Sequence, residues 1–125
     1  MLDDLKYIHE RDGQDALGIT EKQSQQLQTD YQIPLSDGDF DNIVFAGMGG
    51  SALAALLSST WPGVNLPFEI CRNYTIPSYV GPKTLFIASS YSGNTEETLE
   101  ALSHAEERGA IIAIITSGGK LAARA

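Results

Sequence analysis

Residues 84–105 read as a strand, a hydroxyl-rich turn and a helix in direct succession, and no other stretch limits the fold as much. Thr84, Leu85, Phe86, Ile87 and Ala88 are nearly continuous in apolar character, as a parallel strand buried on both faces requires. The turn Ser89-Ser90-Tyr91-Ser92-Gly93-Asn94-Thr95 follows at once. Thr98, Ala101, Leu102 and Ala105 then recur at the spacing of one helix face. Asn94 with Glu97 three residues on reads as a helix N-cap with a reciprocal carboxylate.

The same alternation extends in both directions. Ile43-Val44-Phe45-Ala46 is an expected strand, Gly47-Met48-Gly49-Gly50-Ser51 a glycine turn, and residues 52–59 an apolar helix stopped by Trp61-Pro62-Gly63. Phe68-Glu69-Ile70-Cys71 reads as a further strand, and residues 110–115 as another that is apolar throughout. Thr116-Ser117-Gly118-Gly119 is a third small-residue turn, with helical residues 120–125 behind it. Strands alternating with helices predict a three-layer α/β/α sandwich around a parallel sheet. Ligands of such sheets lie beyond the carboxyl ends of the strands, near a topological switch point, where both glycine-containing turns can face one crevice. Residues 1–33 read as an N-terminal helical segment and 34–125 as the α/β domain. Leu2, Leu5 and Ile8 suggest a short helix over 1–12. Thr20 and Gln23 suggest a capping box for a second, running through Leu27 to about Tyr31.

A strand, a hydroxyl turn and a helix make an anion site. The first N–H groups of a helix lack internal partners, and its dipole puts partial positive charge there. Ser90, Ser92 and Thr95 add short-armed donors, and Gly93 permits close backbone approach. No Lys or Arg lies in the turn, so dipoles and hydroxyls would hold the phosphate. The competing reading is a turn rich in Ser because Ser suits caps and turns. A net charge of −8 opposes a general nucleic-acid surface but leaves room for a small phosphorylated ligand in a local nest of N–H groups. His9 and His104 stand apart from any ligand-spaced cluster, so neither a metal nor another cofactor is expected, and His104 reads as solvated. No apolar run approaches membrane-spanning length and the charged start is not a signal peptide, so no membrane partner and a cytoplasmic location are expected. Cys71, the single cysteine, reads as a buried, inert thiol.

Gly47-Met48-Gly49-Gly50-Ser51-Ala52 also fits G-x-G-x-x-A, a dinucleotide fingerprint, with Glu69 about 20 residues on as a ribose-binding acid. That reading needs Glu69 at the end of its strand. A P-loop is excluded because Leu121, not Ser or Thr, follows Gly118-Gly119-Lys120, and the serine turns lack the G-x-S-x-G elbow of a nucleophilic serine.

Residues 47–52 after a strand and residues 89–98 after another resemble the sugar isomerase (SIS) domain, and the closest subgroup is the bifunctional phosphoglucose/phosphomannose isomerase family. Arg72-Asn73-Tyr74 with Pro77, and Thr116-Ser117-Gly118-Gly119-Lys120-Leu121, extend the likeness across residues 33–125. The resemblance implies a flavodoxin-like parallel sandwich that binds hexose 6-phosphates. Ser90, Ser92, Thr95 and the backbone of Gly93 and Asn94 would hold the phosphate, and Gly49, Gly50 and Ser51 would line the sugar side. It implies aldose–ketose isomerisation between glucose or mannose 6-phosphate and fructose 6-phosphate, by proton transfer between C1 and C2 through an enediolate. Family members carry two such domains in a much longer chain and form homodimers, and their catalytic glutamate and ring-opening histidine lie beyond the point equivalent to Ala125. No catalytic residue is therefore assigned here. Glu96 and Glu97 are read as complementing the helix dipole. On this resemblance the sheet is cut short after its fourth strand, leaving Ile111-Ile112-Ala113-Ile114-Ile115 as an edge prone to self-association. A sugar-phosphate sensor without catalysis, and less readily a dinucleotide-binding oxidoreductase fragment, are the alternatives.

Overall fold

The computed structural model describes residues 4–26, 28–30, 39–60 and 63–125. The chain divides into two units, Met1–Leu35 and Ser36–Ala125. In the first, α1 (Leu5–His9) is capped by the Asp4 carboxylate, which accepts from the Tyr7 N–H at 3.1 Å. Helix α2 (Ala16–Gln26) starts earlier than its sequence suggested. The Asp12 carboxylate accepts from the N–H groups of Ala16 and Leu17 at 2.8 and 2.9 Å, and those bonds lower its pKa. An acceptor in place before Ala16 outcompetes the proposed capping box. Thr20 sits inside the helix, its hydroxyl donating to the Ala16 carbonyl at 2.8 Å. Leu2, Leu27 and Tyr31 lie outside the described residues.

The second unit is built on β1 (Asn42–Gly47), α3 (Gly50–Ser59), β2 (Phe68–Cys71), β3 (Thr84–Ser90), α4 (Glu96–Glu107), β4 (Ile111–Thr116) and α5 (Gly119–Ala122). The strands form one four-stranded sheet in the order β2-β1-β3-β4, every pair parallel. This is the flavodoxin-like order. The expected strands are all present, and β3 runs on to include Ser89 and Ser90, both buried.

Alternate residues of a strand face opposite sides of the sheet, and the core divides accordingly. Val44, Ala46, Phe86 and Ala88 pack with Ala101, Leu102 and Ala105 of α4 and with Leu121 of α5. Phe45 and Leu85, buried on the alternate positions, belong to the other layer, and α3 contributes the buried Ala52 and Ala55. The buried face of α4 is Thr98, Ala101, Leu102 and Ala105, the stripe read from the sequence. Cys71 is a buried free thiol whose Sγ donates to the Thr75 carbonyl at 2.9 Å. Strand β4 lies at one edge of the described sheet, with Ile115 exposed.

On the opposite edge, the Tyr79 hydroxyl donates to a Glu69 carboxylate oxygen at 2.5 Å. Partial burial first, and then that bond and the carboxylate's charge, push the Tyr79 phenol from the usual 10 up to about 12. The folded chain thus favours the neutral phenol. Its stabilising contribution is complete below the unfolded pKa and is lost as pH rises from about 10 to about 12.

Three outcomes follow from this packing. Leu102 is 0% exposed, so Leu102→Ala leaves a cavity and lowers unfolding free energy by about 3 kcal/mol in a denaturant titration. Thr98 is 1% exposed and its hydroxyl has no partner among the described residues, so the isosteric Thr98→Val raises stability, by about 1 kcal/mol. Tyr79→Phe removes the latest phenol from an absorbance pH titration and flattens the loss of stability above pH 10.

Candidate functional site

The parallel register sets Gly47, the last residue of β1, beside Ser89 in β3. From there the chain leaves β1 towards β2 and leaves β3 towards β4 on the other side, so a crevice opens between the two turns. Gly49 stands at the N-cap of α3, Gly50 opens the helix, and Ser51 occupies its first turn. The Ser51 hydroxyl accepts from the Tyr91 N–H at 3.4 Å. That contact joins the glycine turn to the serine turn. Gly49, Gly50 and Ser51 therefore flank the same crevice as the hydroxyl cluster.

In the serine turn the expected side chains converge. The Ser90 hydroxyl lies 2.8 Å from that of Thr95 and 3.4 Å from that of Ser92. Ser90 Oγ also accepts from the Gly93 N–H at 3.2 Å, and Ser92 Oγ from the Asn94 N–H at 3.3 Å. The hydroxyls thus bond one another and the turn's own N–H groups. Thr95 is the N-cap of α4, and among the described residues no side chain caps its first turn. The N–H groups at this helix start therefore remain available to an anion. Glu96 and Glu97 occupy the first turn, where they complement the dipole.

The structure corrects the expected role of Asn94. It precedes the N-cap and does not cap the helix. Its Nδ2 donates to the Ser92 carbonyl at 3.0 Å, and its Oδ1 accepts from the Lys120 N–H, 3.2 Å away, in the first turn of α5. The turn after β4 thus belongs to the site, which the sequence showed only as another run of small residues. The Ser117 N–H and hydroxyl both donate to the Tyr91 carbonyl, at 3.2 and 2.5 Å, and the Leu121 N–H donates to the Gly93 carbonyl at 3.0 Å. The signal available beforehand was the pair of glycines. Gly93 and Gly119 both have positive φ, 65° and 69°. A Cβ on Gly93 would collide with the Gly118 carbonyl, and one on Gly119 with the Ser92 carbonyl and the Asn94 carboxamide.

The dinucleotide reading fails on geometry. Glu69 is the second residue of β2, in register with Val44, so it lies within the edge strand rather than at its carboxyl end. Its carboxylate is engaged by Tyr79. The Arg124 guanidinium meets Glu106 and Ser103, and Arg108 donates to the Pro77 carbonyl. His104 sits on α4 beside Glu100, 3.6 Å away. A cavity of about 400 Å³ lies along the outer side of α4 and α5, lined by residues including Tyr74, Glu96, Lys120 and Arg124 but by none of the hydroxyl cluster. Among the described residues no group of three or more His, Cys, Asp or Glu is placed to hold a metal ion, and no helix is long and apolar enough to cross a membrane.

Comparison with known proteins agrees with this geometry. The SIS domain model matches residues 39–125. A bifunctional phosphoglucose/phosphomannose isomerase from Caldicellulosiruptor bescii is 44% identical over 105 residues, 78% of this chain and 31% of that protein. Another from Thermoplasma acidophilum is 51% identical over 84 residues, 67% of this chain and 27% of that one. Among solved structures, a candidate phosphosugar isomerase from Bacillus subtilis aligns with a TM-score of 0.60 at 25% identity, covering 73% of this chain and 30% of its own. The chain spans less than a third of the length of these relatives. With the match covering the whole parallel sheet and the three turns at its carboxyl end, this chain belongs to the SIS domain family.

Proposed function

We propose that the α/β unit, residues 34–125, binds hexose 6-phosphates as part of an aldose–ketose isomerase acting on glucose or mannose 6-phosphate and fructose 6-phosphate. The observation that carries this reading is the convergence of the Ser90, Ser92 and Thr95 hydroxyls at the uncapped start of α4, beside Gly49, Gly50 and Ser51. The phosphate takes the hydroxyls and the N–H groups of Gly93 and Asn94. A dianion is a better acceptor than a neighbouring serine, so the hydroxyls turn from one another to the ligand at little cost in order. The sugar then extends towards Gly49, Gly50 and Ser51, where small residues admit it.

In this reading the residues of the chain bind and orient. The proton transfer between C1 and C2 uses a base and an acid that none of the named residues supplies, and the isomerase acts as a cytoplasmic homodimer. The relatives' names support the isomerase assignment, and the mid-strand position of Glu69 weighs against a nicotinamide cofactor.

Calorimetric titration with fructose 6-phosphate, with NAD as the control, tests the reading. Fructose 6-phosphate binds and NAD does not. Each hydroxyl that bonds a charged phosphate contributes about 1.5–3 kcal/mol, so Ser92→Ala weakens the sugar phosphate by roughly 10- to 100-fold. Binding of NAD alone, or fructose 6-phosphate affinity indifferent to Ser92→Ala, would overturn it.

A further inference from the structure

We infer that the Asn94 carboxamide is a positioning group, through which the turn after β4 and the start of α5 hold the serine turn in its anion-binding shape. The inference rests on the sugar-phosphate reading above.

Its physical basis is the direction of the peptide groups. In a trans peptide the carbonyl of one residue and the N–H of the next point in opposite directions. Three successive carbonyls of the serine turn are each occupied. That of Tyr91 accepts from the Ser117 N–H and hydroxyl, that of Ser92 from Asn94 Nδ2, and that of Gly93 from the Leu121 N–H. Of these donors, Ser117 belongs to the turn after β4 and Leu121 to α5, and the third is a side chain that the Lys120 N–H of α5 holds in place. Fixing these carbonyls sends the N–H groups of Ser92, Gly93 and Asn94 the opposite way. The Gly93 N–H is shared between the Ser90 carbonyl at 3.1 Å and Ser90 Oγ at 3.2 Å, and the Asn94 N–H meets Ser92 Oγ.

Both ends of the Asn94 carboxamide are needed in this arrangement. Reversing it would set the amide NH₂ against the Lys120 N–H and the amide oxygen against the Ser92 carbonyl, so the orientation is fixed by its neighbours. Engaged at both ends, the carboxamide is anchored between the Ser92 carbonyl and the Lys120 N–H. The same contact accounts for α5: the first N–H groups of a helix need acceptors, and those of Lys120 and Leu121 find them on Asn94 and Gly93. Gly119 lets the two segments approach, since a Cβ there would press first on the Ser92 carbonyl and then on the Asn94 carboxamide from 2.9 and 3.0 Å.

The test uses the whole 125-residue chain. Affinities for inorganic phosphate and for fructose 6-phosphate are measured in the wild type, Ser92→Ala, Asn94→Ala, Gly119→Ala and the Asn94→Ala/Gly119→Ala double variant. Asn94 is exposed, so its truncation leaves the fold intact by circular dichroism. Asn94→Ala weakens both ligands by the same factor, about tenfold, because the groups it aligns hold the phosphate rather than the sugar. Gly119→Ala displaces the Ser92 carbonyl together with the Asn94 carboxamide, so it already breaks the bond that Asn94→Ala removes, and the double variant binds no more weakly than the poorer single one. Wild-type affinity in Asn94→Ala, with Ser92→Ala impaired, would overturn the positioning role and leave the phosphate site standing. So would additive losses in the double variant, or a loss confined to fructose 6-phosphate. A wild-type chain that binds neither ligand, or an unimpaired Ser92→Ala, would overturn the sugar-phosphate reading and this inference with it.

Discussion

The parallel pairing of β1 with β3 is the constraint on which the rest of the unit depends. It places Gly47 beside Ser89, and with them the starts of α3 and α4 on either side of one crevice. The pairing in turn depends on strands that are buried on both faces. Val44, Phe45 and Ala46 are all buried in succession, as are Leu85 and Phe86. Each apolar side chain taken fully from water contributes about 1.5–3 kcal/mol, so slipping the register by one residue would forfeit much of the core. A fixed register makes the position of the turns a consequence of core packing.

Core packing alone does not aim the polar groups. A turn of Ser, Gly and Asn has many conformations of similar energy, and orienting several residues costs about 1–2 kcal/mol of backbone entropy for each. The turn after β4 offsets that cost with bonds from Ser117, Lys120 and Leu121 to the serine turn, and the Tyr91 N–H ties the same segment to Ser51. Three loops from three strand ends thus hold one another. The pre-formed arrangement leaves a ligand with less ordering to do.

Much of this was legible in the residues. Continuous apolar runs gave the strands, because a parallel interior strand tolerates no polar face. The spacing of Thr98, Ala101, Leu102 and Ala105 gave the buried side of α4. The failures were competitions between local signals of equal strength. Asn94 and Thr95 are both good N-caps, and the choice falls to the Lys120 N–H, 26 residues away, which takes the Asn94 carboxamide. Thr20 with Gln23 matched the capping-box pattern, but the Asp12 carboxylate reaches the N–H groups of Ala16 and Leu17 first and starts α2 a turn earlier. Glu69 had the right spacing for a ribose and the wrong place in its strand, and Tyr79, which occupies it, lies in an irregular connector that periodicity does not describe. Such long-range side-chain bonds leave no periodic trace.

The most direct test of the shared crevice is an amide chemical-shift map of the isotopically labelled chain titrated with fructose 6-phosphate. The largest shifts should fall together on Gly50, Ser51 and the stretch Ser90 to Thr95, with smaller ones on Lys120 and Leu121. Shifts centred on Glu69 and the β2 edge, with the serine turn unmoved, would contradict the placement of the ligand at the β1–β3 switch point.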